Sequence, residues 1–269
     1  MKPVKILSYY FLLGLASLSL IIFSLTGLLK VTFLNENFMK EKINEEDYMD
    51  KVYTSITTEM GHYLTQSHLP ESIFDGVITK EKVKEDVLAS FSSLYEGKDF
   101  SLNTQDITTN LENNIFLYLD NQNVTLKDTE SLDAFIKQIS DIYEEEINLY
   151  GMLPKIKKVI LPLSKLVQIL LLISLGLFLI SLGIIKFLLK EKVGSTVLFT
   201  SGLLLLIIKI YIYKRVDITH LLIIDSNFSS LLKNILATYF DKILLISFIL
   251  LGLGFVYLVI RTGCHLKER

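Results

Sequence analysis

The chain lacks the residues and motifs on which many enzymes and secreted domains depend. It contains one cysteine, Cys264, so neither a disulfide framework nor a cysteine-rich zinc site can form within one chain. Glycine-rich nucleotide-binding loops, a His-Glu-x-x-His motif and a Gly-x-Ser-x-Gly motif are all absent from the sequence. The sequence therefore predicts a non-enzymatic protein with no catalytic residues, no cofactor and no metal site.

Arginine is also scarce, with 3 residues against 24 lysines, which we interpret as a sign of an AT-rich bacterial genome. The formal net charge of −2 hides a segregation of charge along the chain. From Val31 to Lys155 there are 24 acidic and 10 basic residues, a net charge of −14, while the rest of the chain has 5 acidic and 17 basic residues, a net charge of +12. Binding to nucleic-acid phosphates requires basic patches, so we expect no nucleic acid partner for the acidic segment.

Apolar sequence is abundant, at 51% of the residues with a mean hydropathy of +0.45. Most of it lies in four blocks of about 20 residues, the length that crosses a hydrocarbon core about 30 Å thick. Each block must be helical because lipid cannot satisfy backbone polar groups. The predicted transmembrane helices are residues 6–29, 165–189, 193–213 and 243–260. The first block is longer than the apolar core of a signal peptide and has no Ala-x-Ala exit, so we interpret it as an uncleaved signal anchor.

The orientation follows from the lysines and arginines near the ends of the spans. With the N-terminus inside, the tails 1–5 and 261–269 and the connection 186–192 are cytoplasmic and carry 8 basic residues in 21 positions. The opposite orientation also has support, because basic residues crowd the other ends of the spans. These predicted membrane-interface residues are Lys155, Lys157, Lys158, Lys165, Lys214 and Arg215. We favour cytoplasmic N- and C-termini in a multi-pass cell-membrane protein, since a long polar domain crosses the membrane largely regardless of its charge.

Residues 30–158 are the predicted extracytoplasmic acidic helical domain, inserted between transmembrane helices 1 and 2. Apolar residues recur there at spacings of three and four, which is typical of one face of a helix. The four predicted faces are Tyr48, Val52, Ile56, Met60 and Tyr63; Val83, Val87, Phe91 and Leu94; Ile107, Leu111, Ile115 and Leu119; and Leu132, Phe135, Ile139, Ile142, Tyr143 and Ile147. Thr79 and Thr129 are predicted N-caps and Gly97 a helix C′ residue. The predicted fold is all-α, a polytopic membrane protein with four spans and a helical bundle.

The charge of the sequence changes from negative to positive at the junction between this domain and the second span. Glu144 to Glu146 precede Gly151 and Pro154, which we expect to end or bend the last outer helix, and three lysines follow at headgroup level. Pro162 is expected in the first turns of the second span, where proline costs little. Residues 214–242 are predicted to be an extracytoplasmic loop with an interfacial helix, because their apolar content is too high for a free loop.

Few residues carry a pattern associated with chemistry. Glu59 and His62 form a Glu-x-x-His pair, the spacing used in four-helix di-metal proteins, but the required second pair is missing. The nearest counterpart is Asp217 with His220, and His68 is a third nearby histidine. We interpret Glu59 and His62 as solvated helix residues. The acidic runs Glu45-Glu46-Asp47 and Glu144-Glu145-Glu146 lack the loop of a calcium site and are interpreted in the same way.

The predicted spans contain no Asp, Glu or His, which disfavours ion-coupled transport. Lys209 is about a turn from the outer end of span three and is expected to snorkel. Small residues recur in the spans and are expected to allow close contacts among the four helices. They include Gly14 and Ser17, Gly176 and Gly183, Gly194 and Gly202, and Gly252 and Gly254.

These patterns favour a membrane protein of a bacterial cell envelope whose outer domain binds or senses a ligand or supports a partner complex. The lipid bilayer, an unidentified envelope protein and a second copy of the chain are its candidate partners. The order of one span, a large outer domain and three spans also resembles the topology of four-span permeases, the class that includes a division permease and macrolide-exporter subunits. This resemblance implies a permease-like subunit of a membrane transport or ABC-type complex. The predicted cytoplasmic connection of about seven residues leaves a cytosolic ATPase little to bind.

Overall fold

A computed structural model of the chain describes residues 3–45, 47–67, 69–124, 129–149, 151–189, 193–215 and 226–267. These residues are helical with no strand among them, which confirms the all-α prediction. The α-helices are α1 Pro3–Val31, α2 Glu36–Glu45, α3 Tyr48–Ser67, α4 Lys80–Glu96, α5 Gln105–Asn121, α6 Glu130–Ile147, α7 Leu153–Ile184, α8 Gly194–Arg215 and α9 Ser226–Lys267. A 3₁₀ turn covers Glu71–Phe74, and a π-helical turn, Ile185–Leu189, extends α7.

Four helices are long and apolar enough to cross a membrane, as the sequence predicts. They cover Val4–Val31, Leu153–Leu188, Gly194–Lys214 and Asn227–Ile260. The described part of the chain divides into two compact units. The membrane unit contains residues 3–35, 162–215 and 232–267, and the polar unit contains residues 36–161 and 226–231.

Two of these helices begin earlier than the hydrophobic blocks indicate. Helix α7 begins at Leu153, well before the predicted start at 165. Helix α9 begins at Ser226, inside residues 214–242, the segment predicted as a loop with an interfacial helix, and it continues from there into the fourth apolar block. Helix α9 has 42 residues, about 63 Å at 1.5 Å per residue, roughly twice the thickness of a hydrocarbon core. A helix ends where its backbone hydrogen bonding is interrupted, and polarity alone does not interrupt it. The position predicted for Pro162 is therefore wrong, since it lies in the interior of α7.

The membrane unit is held together by close contacts of small residues. The Ser201 hydroxyl of α8 donates to the backbone oxygen of Ser17 on α1 at 3.2 Å. The Ser247 hydroxyl of α9 donates to the backbone oxygen of Gly202 on α8 at 2.8 Å. A Cβ atom at Gly202 would lie 2.9 Å from the side chain of Leu251, so α8 and α9 approach closely only because this residue is glycine.

Not every small residue has this role. Gly194 and Gly254 also lie at helix contacts, where an added Cβ would meet neighbours at 3.3 Å and 3.1 Å. In contrast, an added Cβ would meet nothing within 4 Å at Gly14, Gly176, Gly183 or Gly252. The expected close packing is therefore found between α8 and α9 and, at Ser17, between α1 and α8, whereas the two glycines of α7 face open space.

The polar unit has a core formed by one face of each helix from α3 to α6. The predicted faces of α3 and α4 are buried at Tyr48, Val52, Ile56 and Met60 and at Val83, Val87, Phe91 and Leu94. At three other predicted positions, on α3, α5 and α6, the buried residue differs from the prediction or is only partly buried. Leu64 and Ile136 are buried where Tyr63 and Phe135 were expected, and Leu119 is only partly buried. A helix of 3.6 residues per turn rotates slowly away from any fixed spacing, which explains these one-residue differences.

Helix α4 begins and ends as its sequence predicts. The Thr79 side chain accepts a hydrogen bond from the Lys82 backbone N–H at 3.2 Å, and Gly97 has the left-handed conformation at φ 73°. Thr129 precedes α6 but makes no capping hydrogen bond through its side chain. Its own φ and ψ of −86° and −21° are already helical, whereas a capping residue normally has an extended backbone.

Candidate binding groove on helix α3

The outward face of α3 is a stripe of polar side chains. Because Tyr48, Val52, Ile56 and Met60 are turned into the core, the residues between them point away from it. This face borders a groove of about 630 Å³, which we call the α3 groove. The groove is lined by Asp47, Asp50, Lys51, Thr54, Ser55, Thr58, Glu59, His62 and, from the start of α9, Asn227.

The groove combines carboxylates, hydroxyls, one ammonium group and one imidazole, and it has no large apolar side chain in its lining. Asp50 forms an ion pair with Lys80 of α4 at 3.0 Å. The hydrogen bond and charge of Asp50 raise the pKa of Lys80, whose ammonium group also lies 5.7 Å from the centre of the Tyr53 ring. This lining suits a polar ligand or the polar surface of a partner rather than an apolar one.

A buried carboxylate stands behind the wall of this groove. Glu146 of α6 is only 3% exposed and accepts a hydrogen bond from the Ser55 hydroxyl at 2.6 Å. The interpretation of Glu144 to Glu146 as a solvated face is therefore wrong for Glu146, while Glu144 and Glu145 are exposed. The sequence contains the signal for this, because Glu146 lies three and seven residues after the buried Tyr143 and Ile139 and so shares their face.

The Glu-x-x-His pair lies in the groove, but no set of metal ligands forms around it. Glu59 and His62 both line the groove, and His62 is exposed. Within the described ranges, no group of three His, Cys, Asp or Glu residues is arranged to hold a metal ion. His68, Asp217 and His220 lie outside the described residues, as does Glu46 of the first acidic run.

A second, acidic cleft lies where α6 gives way to α7. It has a volume of about 570 Å³ and combines an aromatic ring with three carboxylates. Its lining is Phe100, Asp141, Glu144, Glu145, Asn148, Gly151 and Pro154. Gly151 has φ +72°, and Leu149 two residues earlier also has a positive φ of 51°, so the chain turns sharply between the two helices here. Helix α6 already ends at Ile147, so Gly151 lies in the turn between the two helices rather than at the end of α6, and Pro154 occupies the first turn of α7.

The six predicted membrane-interface residues do not share one environment. Lys155, Lys158 and Lys165 on α7 and Lys214 on α8 are exposed, whereas the Lys157 side chain is only 18% exposed. The Lys157 ammonium group lies 2.7 Å from the Asp99 carboxylate, which holds the pKa of Asp99 below its usual range. Arg215 is the last residue of α8, and its side chain lies outside the described part of the chain.

The core behind the groove contains a second polar pair that the sequence did not indicate. The Tyr143 hydroxyl donates to the Asp86 carboxylate at 2.7 Å, and the Lys82 ammonium group lies 3.2 Å from the other oxygen of that carboxylate. Burial, followed by the hydrogen bond to Asp86, raises the pKa of Tyr143. These contacts join α4 to α6 and hold the helices that support α3.

Comparisons of the chain with protein-family models, with curated proteins and with solved structures find no match.

Proposed function

We propose that this chain is a non-enzymatic integral membrane protein of a bacterial cell envelope. Its polar unit lies outside the cytoplasm and binds a ligand or a partner protein through the α3 groove. The observation that carries this proposal is the groove itself, an open cavity of about 630 Å³ lined by polar residues on a helix whose opposite face is packed into the core. Ordinary solvated helix faces are convex, whereas binding sites are concave and present convergent polar groups.

The proposed orientation rests on charge. The eight basic residues assigned to the cytoplasmic side lie in short segments, where the positive-inside rule applies. The acidic run from Val31 to Lys155 is long, and long domains cross the membrane with little regard to their charge. This orientation presents the α3 groove to envelope components or to solutes outside the cell membrane.

The proposal is tested by photocrosslinking in intact cells. A photoreactive phenylalanine analogue replaces Thr58 in the groove, and the same analogue at the exposed Asn113 on α5 is the matched control. We expect a discrete crosslinked species from position 58 and none from position 113. A second substitution, Thr54→Trp, fills the groove and should abolish the crosslink, because both residues line the same cavity.

Two results would contradict this proposal. One is crosslinking at position 58 that does not exceed that at position 113. The other is a crosslink that persists unchanged in the Thr54→Trp variant, because its occupant would then lie outside the groove. Co-purification of a nucleotide-hydrolysing subunit would instead favour the permease-like alternative, to which the order of one apolar helix, a polar unit and three apolar helices also corresponds.

A further inference from the structure

Three of the exposed lysines lie on one face of α7. At 100° per residue, Lys155, Lys158 and Lys165 fall within an arc of about 80° around the helix axis. Lys157 lies outside this arc and is the lysine that pairs with Asp99. We call the surface that Lys155, Lys158 and Lys165 share the lysine face of α7.

The charges of this face are not neutralised by the protein. None of its three lysines forms an ion pair with a carboxylate among the residues that the structure describes. All three are exposed, although the polar unit contains many carboxylates. By contrast, the neighbouring Lys157 forms an ion pair with the Asp99 carboxylate. Unpaired positive charge beside an apolar segment attracts anionic groups at a membrane surface.

An exposed apolar surface continues the lysine face along the same side of the helix. Ile169, Ile173 and Ile180 fall within the same sector, Leu166 lies about 20° beyond its edge, and all four are between 51% and 60% exposed. Gly176, also in this sector, has open space where a Cβ atom would be. From Leu166 to Gly176 the helix rises about 15 Å, which is half the thickness of a hydrocarbon core and the depth of one leaflet.

We propose that this side of α7 binds an anionic phospholipid of the leaflet at the N-terminal end of the helix. The phosphate lies between Lys158 and Lys165, with Lys155 adding attraction from farther out, and an acyl chain lies along Leu166, Ile169 and Ile173 towards Gly176. Charge complementarity favours this occupant over a second copy of the chain, because two lysine faces would repel each other. A soluble partner has no access to the apolar half of the surface in a bilayer.

The test measures lipid selectivity of the full chain in vesicles of phosphatidylcholine with a minority of phosphatidylglycerol. Spin-labelled versions of each lipid report, by electron paramagnetic resonance, the fraction held at the protein surface. We expect the parent protein to prefer phosphatidylglycerol severalfold. Replacing Lys155, Lys158 and Lys165 by glutamine should bring the preference close to one, because these lysines supply the electrostatic attraction for the anionic headgroup.

Matched variants separate this site from a general effect of charge. Lys157→Gln removes one lysine from the same helix outside the lysine face and should leave the preference nearly unchanged. Replacing the three lysines by arginine keeps the positive charge and should also keep the lipid preference. This control shows whether substitution at the three positions by itself disturbs the fold. Added inorganic phosphate should displace little of the labelled lipid, because phosphate lacks the acyl chain that contacts Leu166 and Ile169.

The proposal is overturned by a parent protein that shows no preference between the two lipids, or by a triple glutamine variant that keeps the preference. An equal loss in Lys157→Gln would show that only the total charge matters. If inorganic phosphate displaced all of the labelled phosphatidylglycerol, the lysine face would be a binding site for soluble phosphate and not for a phospholipid. Each of these outcomes leaves the α3 groove untouched, so this proposal and the proposed function fail or stand independently.

Discussion

At the residue scale, the polar unit depends on buried polar pairs placed within an apolar core. Asp86 is 9% exposed and Glu146 is 3% exposed, and each carboxylate accepts a hydrogen bond from a hydroxyl on another helix. A buried carboxylate without such a donor loses its hydration and gains no hydrogen bond in return. Each hydroxyl therefore contributes more to the stability of the fold than an ordinary hydrogen bond does. The two pairs tie α6 to α4 through Tyr143 and to α3 through Ser55.

Removing one hydroxyl should reveal this dependence. In Tyr143→Phe the Asp86 carboxylate keeps only its contact with Lys82, and the buried oxygen that accepted the phenol proton is left unsatisfied. We expect the free energy of unfolding of the polar unit to fall by about 1–3 kcal/mol. The measurement is urea unfolding of the full chain in detergent, followed by far-ultraviolet circular dichroism.

The control for this prediction is Tyr118→Phe on α5. Tyr118 is partly exposed, and its hydroxyl has no hydrogen bond within the described residues. This variant loses the same atom without leaving a buried partner, so its free energy of unfolding should change by less than about 0.5 kcal/mol. Equal losses in the two variants would show that the contact between Tyr143 and Asp86 has no special role.

At the scale of elements, the sequence predicts what each helix buries better than where each helix ends. Periodic apolar residues identify the core faces of α3 and α4 because burial follows helical geometry directly. Hydropathy marks the parts of α7 and α9 that are apolar enough to cross a membrane but cannot show that the same helices continue through polar residues. The α3 groove could not be predicted from the sequence for a related reason. Asn227 lines it together with α3 residues that are far away in sequence.

Contacts between elements lead to a prediction for glycine. In Gly202→Ala the new methyl group meets the Leu251 side chain at 2.9 Å and the Ser247 backbone oxygen at 3.0 Å. Because backbone cannot move aside cheaply, we expect α8 and α9 to separate slightly and the membrane unit to lose about 1–3 kcal/mol of stability. The thermal midpoint of the detergent-solubilised protein, measured by loss of the monodisperse fraction, should fall.

Gly252→Ala on α9 is the matched comparison, because an added methyl group there meets nothing within 4 Å. Alanine also favours the helix over glycine by up to about 1 kcal/mol, so this variant should be as stable as the parent or more so. If Gly202→Ala and Gly252→Ala had the same midpoint, close packing at Gly202 would not be what holds α8 to α9.

At the scale of the whole molecule, composition and architecture divide the chain in the same way. The acidic residues concentrate in the segment that forms the polar unit, and the apolar helices form the membrane unit. The charge of the long acidic segment does not decide which side of the membrane it occupies, whereas the short basic segments at the ends of the spans do. The functional proposal therefore depends on the side of the membrane that the polar unit faces.

The topology is tested with single cysteines in intact cells. Ser101, in the segment between α4 and α5, is exposed and is replaced by cysteine in a Cys264→Ser background. The parent, with Cys264 alone, is the counterpart that reports on the C-terminal tail. A membrane-impermeant maleimide should label Ser101→Cys and leave Cys264 unlabelled, because the short basic segments retain the termini in the cytoplasm.

The opposite labelling pattern would place the polar unit in the cytoplasm. The α3 groove would then face cytosolic proteins, and its occupant would have to be sought among them. The lysine face of α7 would move to the inner leaflet, whose anionic lipids attract basic segments just as strongly. The groove and the lysine face would thus keep their chemistry in either orientation, and only the identity of their partners would change.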